Sequence, residues 1–206
     1  MPSVVDIANR ALSHTGTDQS IVSLDEKSKE ARICARWYEA SRDQLLRAFP
    51  WNFAQRRVTL ASIANPPTDW AFQYRYPTNC LVLHDVYAEG DWHPGRQGHG
   101  RDLPAWQVAS TGDGGRVILT VIENAQATYT ARVEDPNLLP PDFAQALEFT
   151  LAANIAMPMA NDVNLADFLA TRARAAMEAA MANSLNEAVE PAEAEAPWTL
   201  DRIGGA

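Results

Sequence analysis

The period of apolar positions changes twice along the chain, dividing it into three zones. In the first, Val4, Ala8, Ala11 and Leu12 fall on one helical face, with Ser3 and Asp6 spaced as an N-terminal cap. His14-Thr15-Gly16-Thr17 then stops that helix. Ser23-Leu24-Asp25-Glu26 has the spacing of a capping box, in which hydroxyl and carboxylate satisfy reciprocal backbone donors. From there to Phe49 there is neither Gly nor Pro, which predicts a long second helix that Pro50 ends. Its apolar stripe is expected to be Ile33, Trp37, Leu45, Ala48 and Phe49, with Lys29, Arg32, Arg36 and Arg42 largely elsewhere.

The middle zone reads as short strands. The segments are 57–60, 71–76, 81–83, 117–121 and 127–133, separated by turn chemistry at Asn65-Pro66-Pro67, Pro77-Thr78-Asn79 and Gly112-Asp113-Gly114-Gly115. Four tryptophans, Trp51, Trp70, Trp92 and Trp106, lie here, and they are expected to fill the core of a small antiparallel sheet. The third zone is helical again. Leu139-Pro140-Pro141-Asp142 introduces a helix through about Ala156, with Pro141 in a tolerated first-turn position. Phe143, Leu147, Leu151 and Ile155 form one stripe, and Phe149, Ala152, Ala153 and Ala156 make the other side nearly as apolar. Such a helix is buried on both sides, in a bundle centre or at a subunit contact. After Met157-Pro158, an Ala-rich last helix from about Val163 to Ala188 carries Leu165, Phe168, Leu169, Met177, Met181 and Leu185.

The order helices, sheet, helices predicts an α+β fold. Residues 1–50 and 136–189 would make a helical bundle, residues 51–135 an inserted antiparallel β subdomain, and residues 190–206 an extended C-terminal arm. The arm begins acidic and punctuated by Pro191 and Pro197, a composition that buries no core, and then presents Trp198, Leu200, Arg202 and Ile203. These four are the candidate partner-docking residues, since short aromatic and aliphatic anchors are what such arms use. The alternative is that Trp198 folds back on its own bundle.

Charge and composition narrow the function. The net charge is −9, and its excess lies late: residues 136–206 carry three basic and ten acidic side chains, while residues 1–50 carry seven of each. A DNA reader clusters basic residues on one face, so phosphate-led DNA binding is not expected. No apolar stretch approaches a membrane span, and the first residues lack the basic start and apolar run of a secretory signal. Folding in a cytoplasm is therefore expected, with Cys34 and Cys80 reduced and buried, a disulfide between them being the alternative.

Catalytic templates match weakly. His93 and His99 lie close together in a Gly-rich stretch, but no acidic or cysteine cluster completes a metal site around them, and His14 and His84 stand apart. Gly112-Asp113-Gly114-Gly115 is followed by a strand, not by the helix a phosphate cradle needs, and reads as a hairpin turn. None of these patterns calls for a cofactor or a metal. A two-carboxylate hydrolase is the catalytic alternative: Asp102, Glu123, Glu134 and Asp135 lie near strand ends and would have to converge.

Four phrases in series carry a resemblance. They are Ile7-Ala8-Asn9-Arg10-Ala11-Leu12 followed by residues 21–32; residues 42–54, from Arg42-Asp43-Gln44-Leu45 to Pro50-Trp51-Asn52-Phe53-Ala54, with Arg57 and Leu60-Ala61 beyond; Trp70-Ala71-Phe72-Gln73-Tyr74 with Tyr76-Pro77 and Cys80-Leu81; and Tyr129-Thr130-Ala131-Arg132-Val133 leading through Pro141 and Phe143 to Ala146-Leu147. In this order, over residues 4 to about 160, the chain resembles the head-to-tail adaptor family of short-tailed phages (podoviruses) and prophages, also called tail tubular protein A. The resemblance implies a structural virion protein with no catalytic motif. Its subunits would form a homo-oligomeric ring, a dodecamer, under the portal protein, receive the tail nozzle (tail tubular protein B-like) below, and let phage DNA pass without sequence-specific binding. Assembly would take place in the bacterial host cytoplasm, with the head-tail junction of the virion as the final location. A virion hydrolase acting on cell-envelope polysaccharide or peptidoglycan is the alternative. The loop at 93–101 has no counterpart in the resemblance.

Overall fold

The structure, a computed structural model, describes residues 3–91, 105–112 and 114–187. Among these residues four α-helices and seven strands follow one another as α1 (Val4–His14), α2 (Lys29–Ala48), β1 (Gln55–Thr59), β2 (Ser62–Ile63), β3 (Phe72–Arg75), β4 (Cys80–Tyr87), β5 (Trp106–Ser110), β6 (Arg116–Thr120), β7 (Gln126–Ala131), α3 (Pro141–Ala160) and α4 (Val163–Asn186). The class is α+β: N-terminal helices and the C-terminal helix pair pack together, and two small antiparallel sheets are inserted between them.

Local chemistry fixes the helix ends. Ser3 and Asp6 form the reciprocal capping box of α1, and Thr15 closes it. The second helix begins later than its sequence suggests. Ser28, not Ser23, caps α2, accepting from the Ala31 amide. Glu26 instead accepts from the Val22 amide (3.0 Å) and from the Ser28 hydroxyl, so the Ser23–Glu26 stretch is a turn held by its own polar groups. The buried face of α2 is also rotated from the expected one. It runs through Ala31, Cys34, Tyr38, Ser41, Arg42, Leu45 and Leu46, while Trp37 and Ala48 are exposed. Arg42 is inside because a carboxylate accompanies it (below). Pro158 does not stop α3, which continues to Ala160 and ends at Asn161 in a left-handed conformation. In the last turn a proline sacrifices one hydrogen bond without breaking the helix.

The central helix is α3, which packs against α1, α2 and α4. Phe143, Leu147, Leu151 and Ile155 are fully buried, and Ala144, Ala146, Ala152 and Ala156 bury its other sides. Trp51 closes this core from the end of α2. Its ring meets Phe143 edge-on at 5.0 Å, and its indole N–H donates to the Leu45 carbonyl (2.8 Å). Trp51 therefore serves the helical core, not a sheet core, and Trp70 and Trp106 are only half-buried.

The single small sheet expected is two. One has the order β1-β7-β4 and the other β2-β3-β6-β5, every pairing antiparallel. The two-residue β2 and the strand β5 leave no clear alternating signature in sequence. Tyrosines rather than tryptophans fill the space between the sheets: Tyr74, Tyr76 and Tyr129 join Leu60, Val86, Ile118 and Ile122. Alternation along β7 places Ala127, Tyr129 and Ala131 on this face and turns Thr128 and Thr130 away from it. The Tyr74 hydroxyl donates to the Ile122 carbonyl (2.9 Å) and accepts from the Ala125 amide (3.3 Å), pinning β3 to the β6–β7 turn. The Gly112–Gly115 segment closes the β5–β6 hairpin, as expected of it, with Thr111 and Gly115 bonded across it.

Candidate functional site

The residues singled out as chemistry go separate ways. Trp198, Leu200, Arg202 and Ile203 lie outside the described residues, as do Trp92, His93, His99 and Asp102. Glu123 precedes β7 and Glu134 follows it. That six-residue strand spans roughly 17 Å, against the roughly 5–9.5 Å that separates the carboxyls of a glycoside hydrolase. Asp135 is occupied as a cap, accepting from the Asn137 amide at 2.9 Å. Glu123, Glu134 and Asp135 therefore do not form a paired-acid site.

The remaining nucleophile candidates are core residues. Burial pushes the Cys34 thiol up to about 11, with the charge of Glu30 adding to it. Burial also raises Cys80, whose sulfur lies 3.1 Å from the Tyr76 hydroxyl. Both cysteines are free. His14 stacks on Phe149 at 4.6 Å, and His84 shares a 2.7 Å hydrogen bond with the buried Thr130. Among the described residues no group of three or more His, Cys, Asp and Glu side chains gathers to hold a metal ion.

What the fold does assemble is a set of surfaces. The first is the outer face of α4. Leu169, Ala173 and Ala180 are buried, and the opposite side presents Phe168, Ala175, Ala179 and Ala182, all exposed and repeating at helical spacing. Phe168 is 58% exposed, with the Arg172 guanidinium 5.7 Å from its ring centre. Met157 and Val163 add exposed apolar area at the α3–α4 corner, and Leu185 does so near the other end of α4. A helix that buries one side and leaves an apolar, small-residue side open has room for a second backbone to approach closely. A groove of about 290 Å³ runs beside it between α2, α3 and α4, past Leu45, Ala153, Ala173 and Met177.

The second surface is a cleft where the bundle meets the sheets. Asp43 of α2 binds two arginines: Arg42 through Oδ1 (2.9 Å) and Arg132, just past β7, through Oδ2 (2.7 Å). One carboxylate thus joins helix to sheet. Around it open a cavity of about 370 Å³, lined from α1, α2 and Glu134, and another of about 350 Å³, lined by Thr78, Asn79, Arg132 and Glu134. Arg42 and Arg132 were not predicted for this role. Neighbouring Arg42-Asp43 hints at an ion pair, but nothing local to the sequence marks a partner in residue 132.

No family model matches this chain, and no curated protein matches it. Among the described residues no helix is long and apolar enough to cross a membrane.

Proposed function

We propose that the chain is a non-enzymatic head-to-tail adaptor of a short-tailed phage, a subunit of a ring between the portal protein and the tail nozzle. The observation that carries this reading is the series of four resembling phrases, in one order, over residues 4 to about 160. In the fold those phrases are one another's neighbours. Within the first phrase Asn9 exchanges hydrogen bonds with Ile21 (2.9 and 2.8 Å), and between the second and third Arg47 donates to the Leu81 carbonyl. Trp51 packs on Phe143, and Asp43 binds Arg132. A set of phrases that pack together is what a shared fold requires.

Two further features support the reading. A closed ring needs one patch that meets a different patch on the next copy, and the open face of α4 and the α2–α3–α4 groove are two such patches on one subunit. The net charge of −9 suits a conduit, because an acidic wall does not hold DNA. The test is particle mass, measured for the purified protein alone and after mixing with its own portal ring. A fixed, ring-sized complement of subunits on the portal, expected to be twelve, supports the adaptor. Absence of binding in both states rejects it and moves forward a peptidoglycan turbidity assay of the wild-type chain.

A further inference from the structure

The groove of about 290 Å³ between α2, α3 and α4 has an apolar floor and a single charge at its edge. Leu45, Ala153, Ala173 and Met177 form the floor, and its alanines leave room for a bulky ring. Two of the polar groups beside it are already used. The Thr150 hydroxyl donates to the Ala146 carbonyl (2.8 Å), and the Asn154 amide donates to the Ser41 hydroxyl (2.9 Å). The charged lining residue is Arg174, which is exposed and has no carboxylate partner among the described residues. An apolar hollow beside an unpaired cation fits an aromatic or aliphatic anchor that carries a carboxylate next to it.

The chain beyond α4 has that chemistry. Residues 188–206 lie outside the described ones, and their sequence holds Trp198, Leu200 and Ile203. Trp198 has a carboxylate three residues away on either side, Glu195 before it and Asp201 after it. Length decides which groove this anchor meets first. Ala173 lies about 20 Å back from the end of α4, at about 1.5 Å per residue. From Glu187 to Trp198 the chain advances eleven residues, which span about 17–20 Å as a flexible coil and about 34 Å in the extended polyproline form. The tail can therefore turn back along α4 and bring Trp198 over the groove of its own chain. So short a tether holds the anchor at an effective concentration of about millimolar, far above that of a second copy in dilute solution.

We propose that the groove between α2, α3 and α4 is covered by this chain's own tail, with Trp198 seated on Ala153, Ala173 and Met177 and a flanking carboxylate, Glu195 or Asp201, beside Arg174. The inference rests on the groove and the tail alone and not on the adaptor reading. Where the groove also receives a neighbouring subunit, the tail competes with that subunit, and the covered chain is the unassembled one.

The experiment is NMR of the full chain with methyl-labelled methionine, the Met177 resonance being assigned by comparison with Met177→Leu. An indole ring lying on Met177 shifts its methyl signal, so Trp198→Ala is expected to move that signal and to leave Met157, at the α3–α4 corner, in place. Arg174→Glu, at an exposed position, should move Met177 part of the way in the same direction, the ratio of docked to free tail falling roughly threefold to tenfold. The wild-type signal should stay constant through a dilution series. A Met177 signal that Trp198→Ala leaves unmoved, or that Arg174→Glu leaves unmoved, overturns the proposal. A signal that drifts with dilution toward its position in Trp198→Ala also overturns it, and assigns the groove to the tail of a second copy.

Discussion

Two buried tyrosines on either side of the bundle–sheet boundary differ in one respect, and that difference sets what each hydroxyl is worth. The Tyr74 oxygen donates to Ile122 and accepts from Ala125, whereas the Tyr38 oxygen has no partner. Removing a paired hydroxyl forfeits its bonds and strands the groups it served, a loss of about 1–2 kcal/mol; removing an unpaired one relieves a desolvation cost. Urea unfolding should therefore find Tyr74→Phe destabilised by that amount and Tyr38→Phe unchanged or more stable. Equal losses in both would mean that Tyr38 is paired after all. His84 gives the residue scale its pH dependence. Burial against β7 lowers its proton affinity, so the unfolded chain takes up this proton before the folded one does. The unfolded state then binds more protons, and stability falls as pH drops from about 6.5, the ordinary histidine value, through the lower folded one. Thermal midpoints followed between roughly pH 7.5 and pH 5 should fall further in the wild type than in His84→Gln. Parallel curves would show that His84 is equally basic in both states.

At the scale of elements, hydrophobic period and capping chemistry make most of the architecture readable in the sequence. The Ser3–Asp6 box, strands β1, β3, β4, β6 and β7, the Gly112–Gly115 hairpin and the all-round burial of α3 lie where the pattern places them. The misreadings share a cause: a local signal outweighed by a distant partner. Arg42 looks like a solvent residue until Asp43 and Arg132 are brought beside it. Trp51 looks like filling for the nearby sheets until Phe143, far along the chain, supplies the ring it packs on. Two serines followed by acids competed to start α2, and packing of Ala31 and Cys34 favoured Ser28. Pro158 was the reverse case, a strong local stop that the length of α3 overrides. A proline there deprives the Asn154 carbonyl of its helical partner while the flanking packing holds the helix together. Pro158→Ala restores an N–H at that point and should stabilise the protein by about 1 kcal/mol or more. A lowered midpoint would mean that the proline itself helps to seat the α3–α4 corner, and an unchanged one that the missing bond costs nothing there.

Across the whole molecule, polar tethers link the helices to the sheets alongside apolar packing. Asp43–Arg132 and Arg47–Leu81 fasten α2 to the sheet β1-β7-β4, and Asn52 fastens the start of the β region to Ser184 near the end of α4. Helices and sheets should therefore move as one body, and a partner that grips α4 would carry the sheets with it. Among the described residues the outer face of α4, headed by Phe168, is an apolar stripe left open. If that face is where the next copy in a ring sits, a charge placed on it must be desolvated on assembly but not on folding. Phe168→Glu should then leave the unfolding free energy within about 0.5 kcal/mol of the wild type, since the side chain is mostly in solvent. It should weaken the gain of subunits on the portal ring by about tenfold or more, the effect of a buried anchor residue. Val121→Glu, at an equally open position just past β6, is the control and should do neither. Normal assembly by Phe168→Glu would move the subunit contact off α4. Loss in both variants would point to the added charge rather than to the face.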